Sequence, residues 1–207
     1  QEEIDASGIK NQLVGGPHFK DTDGDKVISV NDFEVIGSPE PVFYGGLMNS
    51  FSYRNFKLDF YLNGSYGNDL YNSLTHEAFF FREGSNSYAE LMNHWSPDNR
   101  DSDIPMPGTS QSLANIKSNT KLIEDGSYLR LKNLRFTYMV PTQRLNGMGW
   151  LKKLNVYFSG TNLLLFSQNR LFDPEVSRYG TNSTAIGFTN GEYPLARTLT
   201  IGLKADF

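Results

Sequence analysis

The sequence predicts an all-β chain of antiparallel strands, each with one apolar and one polar face. Three observations lead there. The composition is rich in Phe (15), Tyr (11), Gly (19) and Pro (9), a mixture that favours strands and turns over helices. Five segments alternate apolar and polar residues with period two, the rate at which a strand flips its side chains. The connections between those segments alternate between short and long.

Residues 1–41 come first and carry no strand pattern. The chain opens QEEIDASGIK, which has no signal-peptide character and reads as an internal segment of something larger, or as a processed chain. DTDGDKVISVND, Asp21 to Asp32, then places carboxylates at its first, third, fifth and twelfth positions. That is the spacing of a calcium loop, in which six to eight hard oxygens gather around the ion. Asp21, Asp23 and Asp25 each offer one oxygen, the Val27 carbonyl takes the seventh place, Ser29 can hold a water and Asp32 can close the site. Two departures weaken it. Lys26 stands sixth, where glycine normally makes the sharp turn, and the closing residue is Asp rather than the longer Glu. No helix pattern flanks the loop, so a calcium sensor is excluded and a structural ion is the expectation. The competing reading is a polar turn, rich in Asp, with no ion.

Residues 42–207 hold the strands. Val42–Arg54 is the first, joined through a tight hairpin at Arg54-Asn55 to Phe56–Gly64. In the second, Phe56, Leu58, Phe60 and Leu62 share one face, while Lys57, Asp59, Tyr61 and Asn63 share the other. Gly126–Pro141 is the third. Leu129 and Leu131 have one parity but Leu134, Phe136 and Tyr138 the opposite, which a bulge near Lys132-Asn133 would reconcile. Leu151–Leu164 is the fourth, with Leu154, Val156 and Phe158 aligned. Leu199, Ile201, Leu203, Ala205 and Phe207 form the apolar face of the last. One helix is expected in SNSYAELMNHW, where Ser87 and Glu90 have capping-box spacing and Leu91 and Trp95 would share a face.

The connections decide what kind of sheet this is. The first is about two residues and the second more than fifty; the third, near Pro141–Gly147, is short and the fourth, from about Phe166 to Pro194, is long. Outer-membrane barrels sort short turns to the inside and long loops to the outside, whereas a soluble sandwich has no reason to. Five strands cannot close a transmembrane barrel, which needs about eight, and an open edge in lipid leaves backbone groups unpaired. The chain is therefore expected to be a fragment, completed by strands elsewhere. Counting back from Phe207 at an inner rim puts the Asp loop outside the cell.

DTDGDKVISVNDFEVIGSPEPVFYGGLMNSFSY, FYLNGSYGNDLYN, HWSPDNRDSDIPM, IEDGSYLRLKNLRFTYMVP, VYFSGTNLLLF, FDPEV and GEYPLARTLTIGLKADF follow one another in this chain. In that order they resemble the C-terminal part of the SusC/RagA-like TonB-dependent outer-membrane transporters of Bacteroidetes-type bacteria. The resemblance covers nearly the whole chain. It implies a barrel of about 22 strands with an N-terminal plug, energy drawn from TonB through the part not present here, and a SusD-like surface lipoprotein acting as a lid. It also implies import of oligosaccharides or peptides across the outer membrane.

A terminal Phe207 on an apolar alternating face is the pattern that outer-membrane assembly machinery reads. Phe79-Phe80-Phe81 falls in a long outer loop, where packing of the loop on itself is favoured over contact with sugars or a lid. His18, His76 and His94 lack metal spacing. Glu124-Asp125-Gly126 reads as a turn into the third strand, and Asn182-Ser183-Thr184 as a polar loop despite its sequon. Net charge −4 argues against nucleic acid as a partner, and the absence of cysteine excludes disulfides. No nucleophile, phosphate-loop or zinc motif occurs, so no enzyme is expected. The alternative from another class is a soluble, calcium-stabilised β-domain that binds glycans.

Overall fold

A computed structural model describes residues 2–10, 12, 14–75, 86–106, 119–141, 143, 150–169, 172–175, 177–179 and 186–207. Phe79-Phe80-Phe81, His76, Asn182-Ser183-Thr184 and most of the 141–147 turn lie outside the described residues. The chain divides into two compact units: residues 1–38, 71–124 and 188–190 form one, and residues 39–70, 125–187 and 191–207 the other.

The second unit is built on five antiparallel strands: β1 (Phe43–Tyr53), β2 (Phe56–Tyr66), β5 (Tyr128–Met139), β6 (Lys153–Ser167) and β8 (Thr198–Asp206), in the order β1-β2-β5-β6-β8. All five expected strands are present. Arg54 turns the β1–β2 hairpin in a left-handed conformation, φ 52°, and Asn55 ties that turn to β5 by accepting the Met139 N–H on its carbonyl (2.8 Å) and donating to the Met139 carbonyl (3.1 Å). The parity slip in β5 is a bulge. Tyr61 pairs with Asn133 and Leu62 with Leu131, so Lys132 has no partner on β2. The β5–β6 ladder breaks at the same level, between Leu131 and Asn133.

Register then fixes two faces. Phe51, Phe56, Leu129, Phe136, Phe158, Leu199, Ile201 and Leu203 lie on one, and each is exposed. The other carries Lys57 and Asp59 in an ion pair of 2.7 Å, and Arg135 stacked 4.2 Å over the Tyr157 ring. It also carries Arg130 and Thr137, both buried. This inverts a water-soluble sheet, which buries its apolar face. An eleven-residue strand such as β2, tilted by about 45°, rises roughly 26 Å, the height of an outer-membrane apolar band. Aromatic residues sit at both ends of the exposed face: Tyr53, Phe56 and Tyr138 at the hairpin end, Phe43, Tyr66 and Phe166 at the other. Interfacial girdles of a membrane barrel have that placement.

The first unit contains α1 (Glu2–Ser7), the Asp loop and most of a short sheet in the order β4 (Ile123–Asp125), β3 (Asp69–Asn72), β7 (Phe188–Thr189), of which Asp69, Leu70 and Asp125 are counted with the second unit. Tyr71 and Asn72 pair in parallel with Phe188 and Thr189. Asn72 is fully buried, donates to Glu124 (2.5 Å) and accepts from the Thr75 N–H (2.9 Å). Glu124 thus belongs to a strand rather than a turn; the turn into β5 begins at Asp125, whose carboxylate accepts the Ser127 N–H.

The expected helix around Glu90 is only a single 3-10 turn, Ala89–Asn93, with extended Tyr88 before it and no side-chain cap from Ser87. Competing hydrogen bonds stop it. Asn99 donates to the Asn93 and His94 carbonyls, Ser102 takes the Asn93 carbonyl as well, and the Trp95 N–H goes to Ile104. Side chains that offer the backbone such partners displace helix. Leu91 is buried as expected, but the Trp95 ring lies against Gly15, 2.4 Å from where a Cβ would stand.

Candidate functional sites: an Asp-rich loop and a charged clasp

The Asp loop folds by satisfying its own backbone. Asp21 accepts the N–H groups of Gly24 (2.8 Å) and Lys26 (2.9 Å); Asp23 accepts that of Asp25 (3.1 Å) and Asp25 that of Val27 (2.7 Å). Gly24 and Lys26 both take positive φ, 79° and 65°. The result brings one carboxylate oxygen from each of Asp21, Asp23 and Asp25 within 4.8 Å of the others. Like charges that close repel by roughly 1 kcal/mol per pair even in water, and a cation between them relieves it. The donor set is all hard oxygen, as calcium prefers.

Asp32 stands apart from that trio. One of its oxygens accepts the Thr22 N–H (2.8 Å) and the other the Ser29 N–H (2.7 Å). With the Ser29 side chain accepting from Asn31, this is a capping box on the 3-10 turn Val30–Asp32. These backbone donors, Ser29 first and then Thr22, hold the Asp32 carboxyl below its ordinary range. Glu34 is held low by its hydrogen bond and ion pair with Lys20 at 2.9 Å. A parallel bridge joins Lys10 to the loop: the Lys10 N–H donates to the Lys26 carbonyl (2.8 Å) and its carbonyl accepts from Ile28 (3.4 Å). The Val27 carbonyl takes no part in that bridge.

A second constellation was not legible as a site in the sequence. Arg130, 2% exposed, pairs through Nη2 with Asp173, 6% exposed. Asp173 also accepts the N–H of Glu175 (3.1 Å) and, on its other oxygen, that of Leu195 (3.0 Å). Lys132 pairs with Glu175 Oε1. Glu175 Oε2 lies 2.9 Å from Arg130 Nε, off the axis that a hydrogen bond needs, so both atoms are buried without one. Asn63 donates to the Tyr128 hydroxyl (3.2 Å) beside Glu175. Arg130 and Lys132 are two residues apart and so share a face of β5, which lets both reach Glu175; the bulge falls at Lys132 and shifts the parity of the residues after it. The available signals were two cations around a parity slip, and Asp-Pro-Glu within a long loop. At the far end of the sheet Trp150 stacks on Phe207, 5.4 Å between centroids and 14° between planes.

No family model matches the chain. It is 43% identical over 211 residues to TonB-dependent receptor P26 of Formosa agariphila, across all of this chain and 21% of that receptor. It is 36% identical to TonB-dependent receptor P3 of the same organism, across 93% of this chain and 19% of that one. The chain superposes on the RagAB peptide importer in its open-open state with a TM-score of 0.71 and 26% identity, covering 91% of this chain and 20% of that one. For the closed-closed state the TM-score is 0.70, with 25% identity over 96% of this chain. Along its whole length the chain matches a part of these TonB-dependent receptors, consistent with a SusC/RagA-like portion. It spans about a fifth of the length of these relatives, consistent with the C-terminal portion that the sequence resembles. An open five-stranded sheet is what one fifth of such a barrel would supply, and the inverted faces have the same explanation.

Proposed function

We propose that residues 42–207 form the last strands and outer loops of an outer-membrane importer barrel, and that this receptor takes up oligosaccharides or peptides with energy from TonB. A SusD-like surface lipoprotein is its proposed lid. The observation that carries this reading is the sheet's polarity: an exposed apolar face with aromatic ends, and a polar face holding a buried ion pair. A soluble glycan-binding domain would carry the reverse. The importers it superposes on work with peptides, as their name states, and lend weight to the transport class; both cargo classes stay in the proposal. The test compares a strain producing the receptor with one carrying an in-frame deletion of residues 42–207. Loss of uptake of a labelled oligosaccharide or peptide pool is expected. Unchanged uptake of both pools, or native protein freed by a carbonate wash without detergent, refutes it.

We also propose a structural calcium in the loop before β1, on the cell exterior. Asp21, Asp23 and Asp25 would hold it, with the Val27 carbonyl and a water on Ser29. Asp32, as the capping residue, would close the loop around the site. When bound, the ion would neutralise the three carboxylates and stiffen the approach to β1.

A further inference from the structure

Polarity alone does not fix where β8 sits against β6. A one-residue slip flips every side chain to the wrong face, but a two-residue slip does not. In TLTIGLKAD, it leaves Leu199, Ile201, Leu203 and Ala205 on the apolar face and Thr198, Thr200, Lys204 and Asp206 on the polar one. Something else must select the observed register, in which Ser159 faces Thr200, Tyr157 faces Gly202 and Thr161 faces Thr198.

Two unusual features converge on the residues just before β8. Asp173, locked by the buried Arg130, accepts the Leu195 N–H at 3.0 Å. Asn162, next to the last β6–β8 pair, holds a left-handed backbone, φ 53°, and donates its amide to the Ala196 carbonyl at 2.9 Å. Neither a buried ion pair nor a left-handed residue inside a strand is adopted without cost, and both act on consecutive residues. A third feature lies inside the strand. The Tyr157 ring folds across Gly202, with ring atoms 2.4 Å from where a Cβ would stand. A two-residue slip would put Thr200 or Lys204 there instead, and their Cβ atoms would strike the ring.

We propose that the register of β8 is set by this clasp on Leu195 and Ala196, made by Asp173 and Asn162, together with the Tyr157–Gly202 socket. The clasp fixes the strand's starting point and the socket admits one residue only. Asp173 and Asn162 are thus positioning residues for β8. This holds whatever the receptor imports.

The test is disulfide trapping in the intact receptor, in a background without other cysteines. Ser159→Cys with Thr200→Cys reports the native register; Ser159→Cys with Thr198→Cys and Thr161→Cys with Thr200→Cys report the two slips. With the clasp intact, the native pair should dominate. Combining Asp173→Ala with Asn162→Asp should lower the native-to-slipped ratio about fivefold or more, as loss of one or two hydrogen bonds allows. General destabilisation would lower total assembled protein but leave that ratio alone. An unchanged ratio in assembled protein overturns the proposal. If the Asp173 variant does not assemble, Asn162→Asp and Gly202→Ala decide, since both leave the buried ion pair in place. A fall in the ratio in either supports the proposal, and no change in both overturns it.

Discussion

Replacing Arg130 with Met tests whether the polar face truly desolvates its ion pair. Met keeps much of the stem and its packing while removing the guanidinium. Both side chains of the Arg130–Asp173 pair are only 3% exposed. Breaking a buried pair from one side costs about 3–5 kcal/mol, because the remaining charge is left uncompensated. Here Asp173 keeps two of its three donors, the N–H groups of Glu175 and Leu195, so the lower end, about 3 kcal/mol, is expected. Lys132→Met is the internal control. Lys132 and Glu175 are 30% and 21% exposed, and a partly solvated pair is worth about 1 kcal/mol or less. Reversible urea unfolding of the purified receptor in lipid or detergent, followed by tryptophan fluorescence, gives both numbers from shifts in midpoint. Equal losses below about 1 kcal/mol for the two variants would refute the reasoning, since they would mean that water reaches Arg130 as freely as Lys132.

Four further outcomes are expected. Calorimetry should find calcium uptake with a dissociation constant of about 10⁻⁴–10⁻³ M, abolished by Asp23→Asn; no uptake at millimolar calcium refutes the site. Acid should loosen the same loop late. Asp32 and Glu34 are held below their ordinary values of 3.8 and 4.5, so their contribution is complete above those values and lost only as pH falls below them. Protease cleavage within residues 21–34 should therefore stay constant from neutral pH until those values are passed, and a rise already at pH 6 contradicts this. Ile201→Lys, on an exposed apolar site, should cost roughly 2–4 kcal/mol at mid-membrane and reduce heat-modifiable barrel on gels, whereas Thr200→Lys on the opposite face should not. Replacing Phe207 or its stacking partner Trp150 with Ala removes that stack and should reduce assembled barrel; normal surface levels in both count against a role for the stack in assembly.

The strands were legible because period two is a local property. Phe56–Leu62 and Leu199–Phe207 declare their faces residue by residue, and even the bulge at Lys132 showed as a parity slip. What alternation does not carry is anything that joins distant positions. Arg130 and Asp173 are 43 residues apart, and no local pattern marks either as buried: an Arg in an alternating strand looks like any polar-face residue until a loop folds onto it. The failed helix is the converse case. Ser87 and Glu90 have the right spacing, but Asn99 and Ser102, several residues later, claim the carbonyls that a longer helix would use.

Lys26 shows how far residue types alone could go. At the sixth place of the loop the backbone must adopt positive φ, which glycine does freely and a lysine does at a cost of about 1 kcal/mol. The structure keeps that conformation, φ 65°, and offsets it locally: the Lys26 N–H donates to Asp21 and its carbonyl accepts from Lys10. The side chain itself lies against Gly8, with Cδ and Nζ 3.8 Å from where a Cβ would stand. Its charge is thereby drawn to the segment after α1, and it makes no ion pair with Asp21, Asp23 or Asp25 among the described residues. A lysine at this place therefore weakens the loop through backbone strain more than through charge. It follows that Lys26→Gly should tighten calcium binding by removing strain, while Lys26→Met, which keeps the strain and deletes the charge, should change it little. Equal gains from both would mean that the ammonium, and not the turn, limits the site.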